Sequence, residues 1–499
     1  MDTTPLHEKI AAELFKYMST LGDRSMPVVT LASPNEIRAV FKERGIPVRL
    51  EPGAAPSSEE DLVAATQLIL EYSLRTGSPL FFNQLYGRAD PVSIAGDWIS
   101  STTNTNSHTF ECAPCYTVLE TELLRKVASV IGGRFADAHD GLMTPGGSFS
   151  NIYGMHLARH RAYPDISSKG SFGAPRLVAF CSTSAHYSFL KAARLLGIGS
   201  DNLVKIPCCP STGAMSVNEL ECAIVAEIKR GGRPFFVGST GGTTVAGAFD
   251  DFHAIQDVCD RYGGLWHHVD ACWGGSFILS NQHRHLLSGS ERADSFCWNP
   301  HKMLGACLTT SIFLLTGSVG QLEAVNATNA PYLFQPDKLY REYDCGDKTI
   351  QCGRKTDSLK LWMLWKRHGD EGLERLVDKC YALREYFAHK IKEDTSGAWK
   401  LVIEPSCTNL CFWFVPAQHR PFSPASDSEE KKKQMHRVAP QIKAKIQRTG
   451  GAMIGFQCDP TIQHGDINFF RIVFASCNIV QFSDIDDLMK KFEALGEAI

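Results

Sequence analysis

Between positions 177 and 315 the chain alternates short apolar runs with stretches of helical pattern, and nearly every run ends on polar residues. The runs are 177–181 (LVAFC), 203–206 (LVKI), 235–238 (FFVG), 265–270 (LWHHVD), 295–298 (SFCW) and 311–315 (SIFLL). Amphipathic segments such as 216–230 and 251–262 separate them. Runs that are apolar on both faces and joined through helices predict an α/β fold, with a mostly parallel sheet covered on both sides. The pattern leaves antiparallel pairing open for some strands. In such sheets ligands bind in the crevice past the carboxyl ends of the strands. There the chain places Ser184-Ala185-His186, then Ser239 to Thr244, then Asp270, and finally Asn299-Pro300-His301-Lys302. Four strand ends thus converge on two histidines, a carboxylate, hydroxyls and one lysine.

Upstream, Thr144-Pro145-Gly146-Gly147-Ser148-Phe149-Ser150-Asn151 runs into a helical pattern at 152–161. A glycine turn opening a helix offers free N–H groups and the positive end of a dipole, which suit a phosphate. The turn lacks the Lys-Ser/Thr of a P-loop and follows no clear strand. A phosphate cradle, an acid at a strand end and a lysine in one crevice fit pyridoxal 5'-phosphate. The lysine amine bonds the cofactor's aldehyde, and the acid keeps the pyridine nitrogen protonated so that the ring accepts electrons. Taken singly, Lys302 is an exposed loop lysine and Asp270 a helix cap. Their shared crevice favours the cofactor.

The remaining features exclude more than they assign. A net charge of -3 on 499 residues gives no footprint for nucleic acid or an anionic membrane, so partners are small molecules or a second copy. The N-terminus lacks a basic stretch followed by an apolar core, and no run approaches the ~20 apolar residues of a membrane span. The 17 scattered cysteines indicate reduced thiols and a cytoplasmic protein. Cys112-Ala-Pro-Cys115 has no second pair, and His156 and His160 lack the Glu of H-E-x-x-H, so no metal is expected.

Residues 1–90 read as a helical segment, with Ser58 capping a helix after a connector at 53–58. A large domain spans 91–370. A small α+β domain fills 371–499, with strands at 410–415 and 468–475, a last helix at 483–495, and the run 429–433 (EEKKK) in a solvated charged loop. No internal repeat is present.

N-P-H-K, H-V-D-A-C-W-G-G, P-G-G-S-x-S-N and Y-L-F-Q-P-D-K resemble the pyridoxal-phosphate-dependent group II amino-acid decarboxylases, acidic branch, from about Phe81 to the C-terminus. The resemblance implies a fold-type I enzyme with a seven-stranded sheet in its large domain. It implies a homodimer with shared active sites, residues 1–90 packing on the partner subunit. It makes Lys302 the lysine bonded to the cofactor, Asp270 the partner of the ring nitrogen and His186 the residue stacked on the ring. Gly147, Ser148 and His301 would hold the phosphate with Cys352 and Gly353 of the partner chain, and Thr243 and Asn299 would lie near the cofactor. Tyr340 matches a tyrosine that reprotonates the α-carbon. Arg471 stands where the family grips a distal acid, with Gln84, Tyr86 and Asn106 nearby.

Tyr86 is bulky where glutamate decarboxylases carry a small serine, and His108 departs from the usual Phe or Tyr. The implied activity is decarboxylation of a short acidic amino acid. Cysteine sulfinate to hypotaurine comes first, then aspartate to β-alanine or cysteate to taurine. Glutamate, giving γ-aminobutyrate, is the rival substrate.

Overall fold

Eleven strands carry the architecture. In the large sheet β1 (His139–Thr144), β2 (Leu177–Ser182), β3 (Leu203–Ile206), β4 (Arg233–Thr240), β5 (Trp266–Asp270), β6 (Ser295–Trp298) and β7 (Ser311–Thr316) pair in the order β1-β7-β6-β5-β4-β2-β3. Neighbours from β3 through β6 are parallel. Only β7 runs against the rest, antiparallel to both β1 and β6. This computed structural model describes residues 5–335 and 337–499; residues 1–4 and Pro336, which falls inside Y-L-F-Q-P-D-K, lie outside the described residues.

Every residue of β2, β5, β6 and β7 is buried, as expected where both sheet faces are covered. Successive side chains part to opposite faces. Phe236 packs with Phe189, Trp266 and Phe313 on one side. Val237 packs with Phe180, Ile224 and Ile255 on the other. The helices between strands begin where the sequence caps them. Ser216 accepts the Glu219 N–H (3.4 Å) and Asp251 accepts the Ala254 N–H (3.0 Å).

Two expectations are corrected. The glycine turn does follow a strand, β1, which His139, Asp140 and Gly141 disguise in the sequence. Asp140 is tolerated there because its carboxylate accepts the N–H groups of Gly141 (2.9 Å), Gly320 (3.0 Å) and Leu322 (3.2 Å) and pairs with Lys348 (3.1 Å). The charged run 429–433 is no loop either. It opens the helix Glu429–Arg448, with Ser428 as cap and both glutamates in the first turn, where the helix dipole favours them.

A second sheet pairs β10 (Gly455–Gln457), β11 (Phe469–Val473), β9 (Asn409–Phe414) and β8 (Trp399–Leu401) in that order, all antiparallel. The Phe81 segment joins this sheet's edge, the Phe82 N–H reaching Met453 O (2.8 Å) and the Val473 N–H reaching Phe82 O (3.0 Å). The helix Ser358–Lys392 runs between the sheets and breaks at Gly369, whose φ is 64°. No helix among the described residues is long and apolar enough to cross a membrane.

Replacing Asp140 with Ala leaves Lys348 and three backbone donors without their acceptor. It is expected to cost ~3–5 kcal/mol of stability, read from urea unfolding. A loss under ~1 kcal/mol, the worth of an exposed pair, contradicts this account.

Candidate active site

The carboxyl ends of β4, β5 and β6, the segment after β2 and the start of the helix Gly147–Ala162 enclose a cavity of about 180 Å³. Six of the predicted residues line it: Gly147, Ser148, His186, Asp270, Asn299 and Lys302. Asn151, Thr240, Cys272 and Trp273 join them. Gly147 permits the close approach of helix to sheet, since a Cβ there would run into Cys272 Sγ and lie 2.9 Å from Asn299 Nδ2. As the first helical residues, Gly147 and Ser148 present N–H groups with no carbonyl one turn back.

Asp270 ends β5 and is buried. Its neighbours only donate. Asn151 Nδ2 lies 2.7 Å from Oδ2, the Cys272 N–H 3.1 Å from Oδ1, and Cys297 Sγ 3.6 Å from Oδ1. The carboxylate sets the direction of the bonds behind it. Because Asp270 only accepts, the Asn151 amide nitrogen faces it and donates also to Ser188 Oγ (2.7 Å), which leaves Asn151 Oδ1 to accept from His268 Nε2 (2.9 Å). Nδ1 of the neutral His268 ring then accepts from the Ser295 hydroxyl (2.8 Å), and Ser295 Oγ accepts the Trp266 indole N–H (2.8 Å). His186 Nδ1 accepts the Ser188 N–H (3.3 Å), and the Ser188 hydroxyl lies 2.8 Å from it.

Burial pushes the Asp270 carboxyl up, but the charges of His186 and Lys302 and the bonds from Asn151 and Cys272 outweigh it and hold it below the ordinary value. Burial also depresses His186. At neutral pH that imidazole is uncharged, so Lys302 and the donors carry the effect. The residue is a carboxylate wherever the protein is folded at neutral pH.

Lys302 leaves β6 through Asn299 and Pro300, its N–H bonded to Asn299 O (3.0 Å). Ser476, beyond β11, clamps the loop from the other sheet: its hydroxyl donates to Lys302 O (3.1 Å) and its N–H to Met303 O (3.0 Å). The backbone of the lysine is fixed while the amine faces the cavity.

Other predicted residues do not reach the cavity within this chain. Thr243 instead accepts the Ala248 N–H (3.0 Å) in the turn after β4. His301 is buried with Nδ1 2.6 Å from Thr310 O, and burial pushes it down to about 4. Asn106 accepts the Arg354 N–H (2.8 Å), and the buried His108 ring lies 3.4 Å from Asn106 O. Gln84, Cys352 and Gly353 are exposed. Tyr340 is exposed and packs against Phe110, the rings tilted by 55° with centroids 5.0 Å apart. Half-buried Tyr86 sits 6.0 Å from the Phe81 ring. Arg471 donates to Thr244 O (3.0 Å) and Asn83 O (2.8 Å); Thr244 is itself on the cavity wall.

Sequence reasoning gave no role to Asn151, Ser188 and His268. His268 had a usable signal, a polar residue two positions before Asp270 and hence on the same strand face.

The residues present fit pyridoxal phosphate. A carboxylate ringed by donors would take a pyridinium N–H, the helix start would take the phosphate, and Lys302 the aldehyde. Fold and cavity define the fold-type I class of pyridoxal-phosphate enzymes. The chain belongs to the pyridoxal-dependent decarboxylase family, whose conserved domain matches residues 46–415; it is a pyridoxal-phosphate-dependent carboxy-lyase. It is 43% identical to the cysteine sulfinic acid decarboxylase of Mus musculus over 450 residues, 90% of this chain and 88% of that protein. It is 42% identical to the enzyme of that name from Homo sapiens over the same shares. A crystal structure of mouse CSAD superposes with a TM-score of 0.92 at 38% identity, covering 99% of this chain and 98% of the other.

Asn151→Ala removes a charge-assisted bond worth ~1.5–3 kcal/mol, and His268→Phe removes the group that orients Asn151. Both are expected to weaken cofactor binding about 10- to 100-fold, read by titrating the cofactor-free protein with pyridoxal phosphate. Unchanged affinity in both variants removes the network from the site.

Proposed function

We propose that this protein decarboxylates a short acidic amino acid, cysteine sulfinate to hypotaurine before aspartate or cysteate. The observation that carries the reading is Arg471. Its guanidinium is largely buried, burial depresses its pKa, and no carboxylate among the described residues pairs with it. Two backbone carbonyls hold two of its nitrogens while Nε has no partner. A buried cation without a counter-ion is costly, and the acid of a ligand lying against Thr244 supplies one, by paired hydrogen bonds to carboxylate or sulfinate. The names of the mouse and human relatives support the same choice. Tyr86 narrows the neighbourhood against glutamate, which is one methylene longer.

Pyridoxal phosphate, when bound, supplies an aldehyde that bonds amines and a ring that accepts the electron pair released with CO2. Lys302 would hold the aldehyde end by its amine, Asp270 would keep a proton on the ring nitrogen, and His186, held by Ser188 through Nδ1, would cover the ring and exclude water. Gly147 and Ser148 would hold the phosphate with Asn299 beside them on the cavity wall, while Thr243 and His301, turned away from the cavity in this chain, hold the loops after β4 and β6. Arg471, with Gln84, Asn106 and His108, orients the substrate by its distal acid. The Tyr340 hydroxyl delivers the proton to the α-carbon.

Several of these residues lie outside the cavity of their own chain, which suits a cytoplasmic homodimer with shared sites. Tyr340, Cys352 and Gly353 are exposed, which supports a role in a partner's cavity. On this reading residues 1–90 lie on the partner subunit, 91–370 bind the cofactor and 371–499 close the site.

Among cysteine sulfinate, aspartate and glutamate, kcat/KM is expected to be highest for cysteine sulfinate. Glutamate should be disfavoured by about 10- to 200-fold, the worth of one methylene in a fitted pocket. A clear preference for glutamate overturns the substrate choice.

Tyr340→Phe is expected to lower amine formation by ~10²-fold or more and to raise abortive transamination. Wild-type turnover in that variant removes Tyr340 from the proton transfer.

A further inference from the structure

The floor of the cavity holds a group that the decarboxylation does not use. Cys297 lies opposite Asp270 in the β5–β6 register, and Cys272 follows Asp270 by two residues. Their sulfurs are 3.4 Å apart, and Cys297 Sγ is 3.6 Å from Asp270 Oδ1. The three potential ligand atoms lie within 4.8 Å of one another, and all three residues are buried. Around a tetrahedral ion with metal–sulfur bonds of about 2.3 Å and metal–oxygen bonds of about 2.0 Å, sulfurs stand about 3.8 Å apart, and sulfur and oxygen about 3.5 Å apart. Two edges of the triangle, 3.4 and 3.6 Å, are already close to those values, and the third is no longer than 4.8 Å. Cys272 lines the cavity, so an ion arriving there meets a ligand at the wall and leaves a fourth position open to water. His268 is not needed as a ligand, its Nε2 being committed to Asn151.

We propose that in the cofactor-free protein Asp270, Cys272 and Cys297 bind one thiophilic divalent cation of the zinc and cadmium class, in competition with pyridoxal phosphate. The competition rests on the reading above, in which Asp270 serves the cofactor's ring nitrogen; one carboxylate cannot serve both.

Binding balances as follows. Two thiol protons leave to solvent, two metal–sulfur bonds and one metal–oxygen bond form, and no electron is transferred. The two thiolates, the carboxylate and the dication sum to a single negative charge, next to the Lys302 ammonium. Burial and the Asp270 charge keep the thiols protonated when no cation is present, Cys272 against the lowering effect of its bond to Cys297. The dication is what makes thiolates affordable there. No local sequence motif announces the site, because strand pairing and not spacing assembles it.

The experiment titrates full-length protein, stripped of cofactor and kept under a phosphine reductant, with Cd²⁺ alone. The readout is the ultraviolet charge-transfer absorption of cadmium thiolates. Exposed cysteines elsewhere, such as Cys112 and Cys352, give a background common to all variants, so the difference from Cys272→Ala and from Cys297→Ala is what counts. The wild type is expected to take up one more equivalent than either variant. That increment should vanish when pyridoxal phosphate is bound first, and cadmium bound first should slow cofactor uptake. Equal uptake by wild type and both variants overturns the proposal, as does an increment that persists with the cofactor in place. The cofactor's own absorption reports its binding separately. A wild-type protein that never acquires that band fails the reading of the enzyme, whatever the metal does.

Discussion

A carboxylate kept charged inside the protein is the constraint around which this structure is arranged. Moving an acid into a low-dielectric interior costs several kcal/mol unless donors replace its water. Asp270 meets only donors: an amide nitrogen, a backbone N–H, a thiol and the nearby Lys302 charge. An acid that can only accept fixes the sense of the bonds behind it, turning the Asn151 amide nitrogen inward, leaving its oxygen to His268 and the Ser295 hydroxyl to the other side of that ring. The chain of bonds starts from the residue that ends β5 and finishes on Trp266, the first residue of the same strand, whose indole donates to Ser295. The same constraint dictates Gly147, without which the helix bearing Asn151 could not settle against Cys272 and Asn299.

The second sheet is part of the site and not an appendage. Ser476 clamps the backbone of the lysine loop. The Trp273 indole donates to Asn409 Oδ1 (2.5 Å), and Asn409 Nδ2 donates to Thr244 O (3.1 Å) and Val245 O (3.0 Å). Arg471 closes the circuit through Thr244 and Asn83. The turn after β4 is thus held by two residues of the small sheet, Asn409 and Arg471. Any shift of that sheet moves the lysine, the cavity wall and the lone guanidinium together.

How much of this was legible beforehand follows from where the signals are local. Continuous apolar runs marked β2 and β4 to β7 to within two residues or so, since a strand buried on both faces is mostly apolar, the paired histidines of β5 being the exception. Lys302, Asp270 and His186 were legible for the same reason, each a polar residue where an apolar strand stops. β1 was hidden because Asp140 is paid for by backbone donors at Gly320 and Leu322, about 180 positions away. The helix from Glu429 was hidden because like charges in a row read as solvated chain, while its apolar stripe, with Met435, Val438, Ile442 and Ile446, begins a turn later. Asn151 and His268 matter through each other, and no spacing rule connects residues 117 positions apart.

The histidines near the cavity show what kind of electrostatics such a site runs on. His186, His267, His268 and His301 are all depressed by burial, the last three to about 3, 4 and 4. None is a cation at neutral pH, and His267 and His268 are held through both ring nitrogens. His267 spans Ser239 Oγ (2.7 Å) and Gln256 Oε1 (2.9 Å) in this way. The standing charges are therefore few: Asp270, Lys302 and, behind Thr244, Arg471. In a low-dielectric pocket a small number of unscreened charges acts over longer distances than the same number in water. A ligand is then sorted by where its own charges fall against these fixed points.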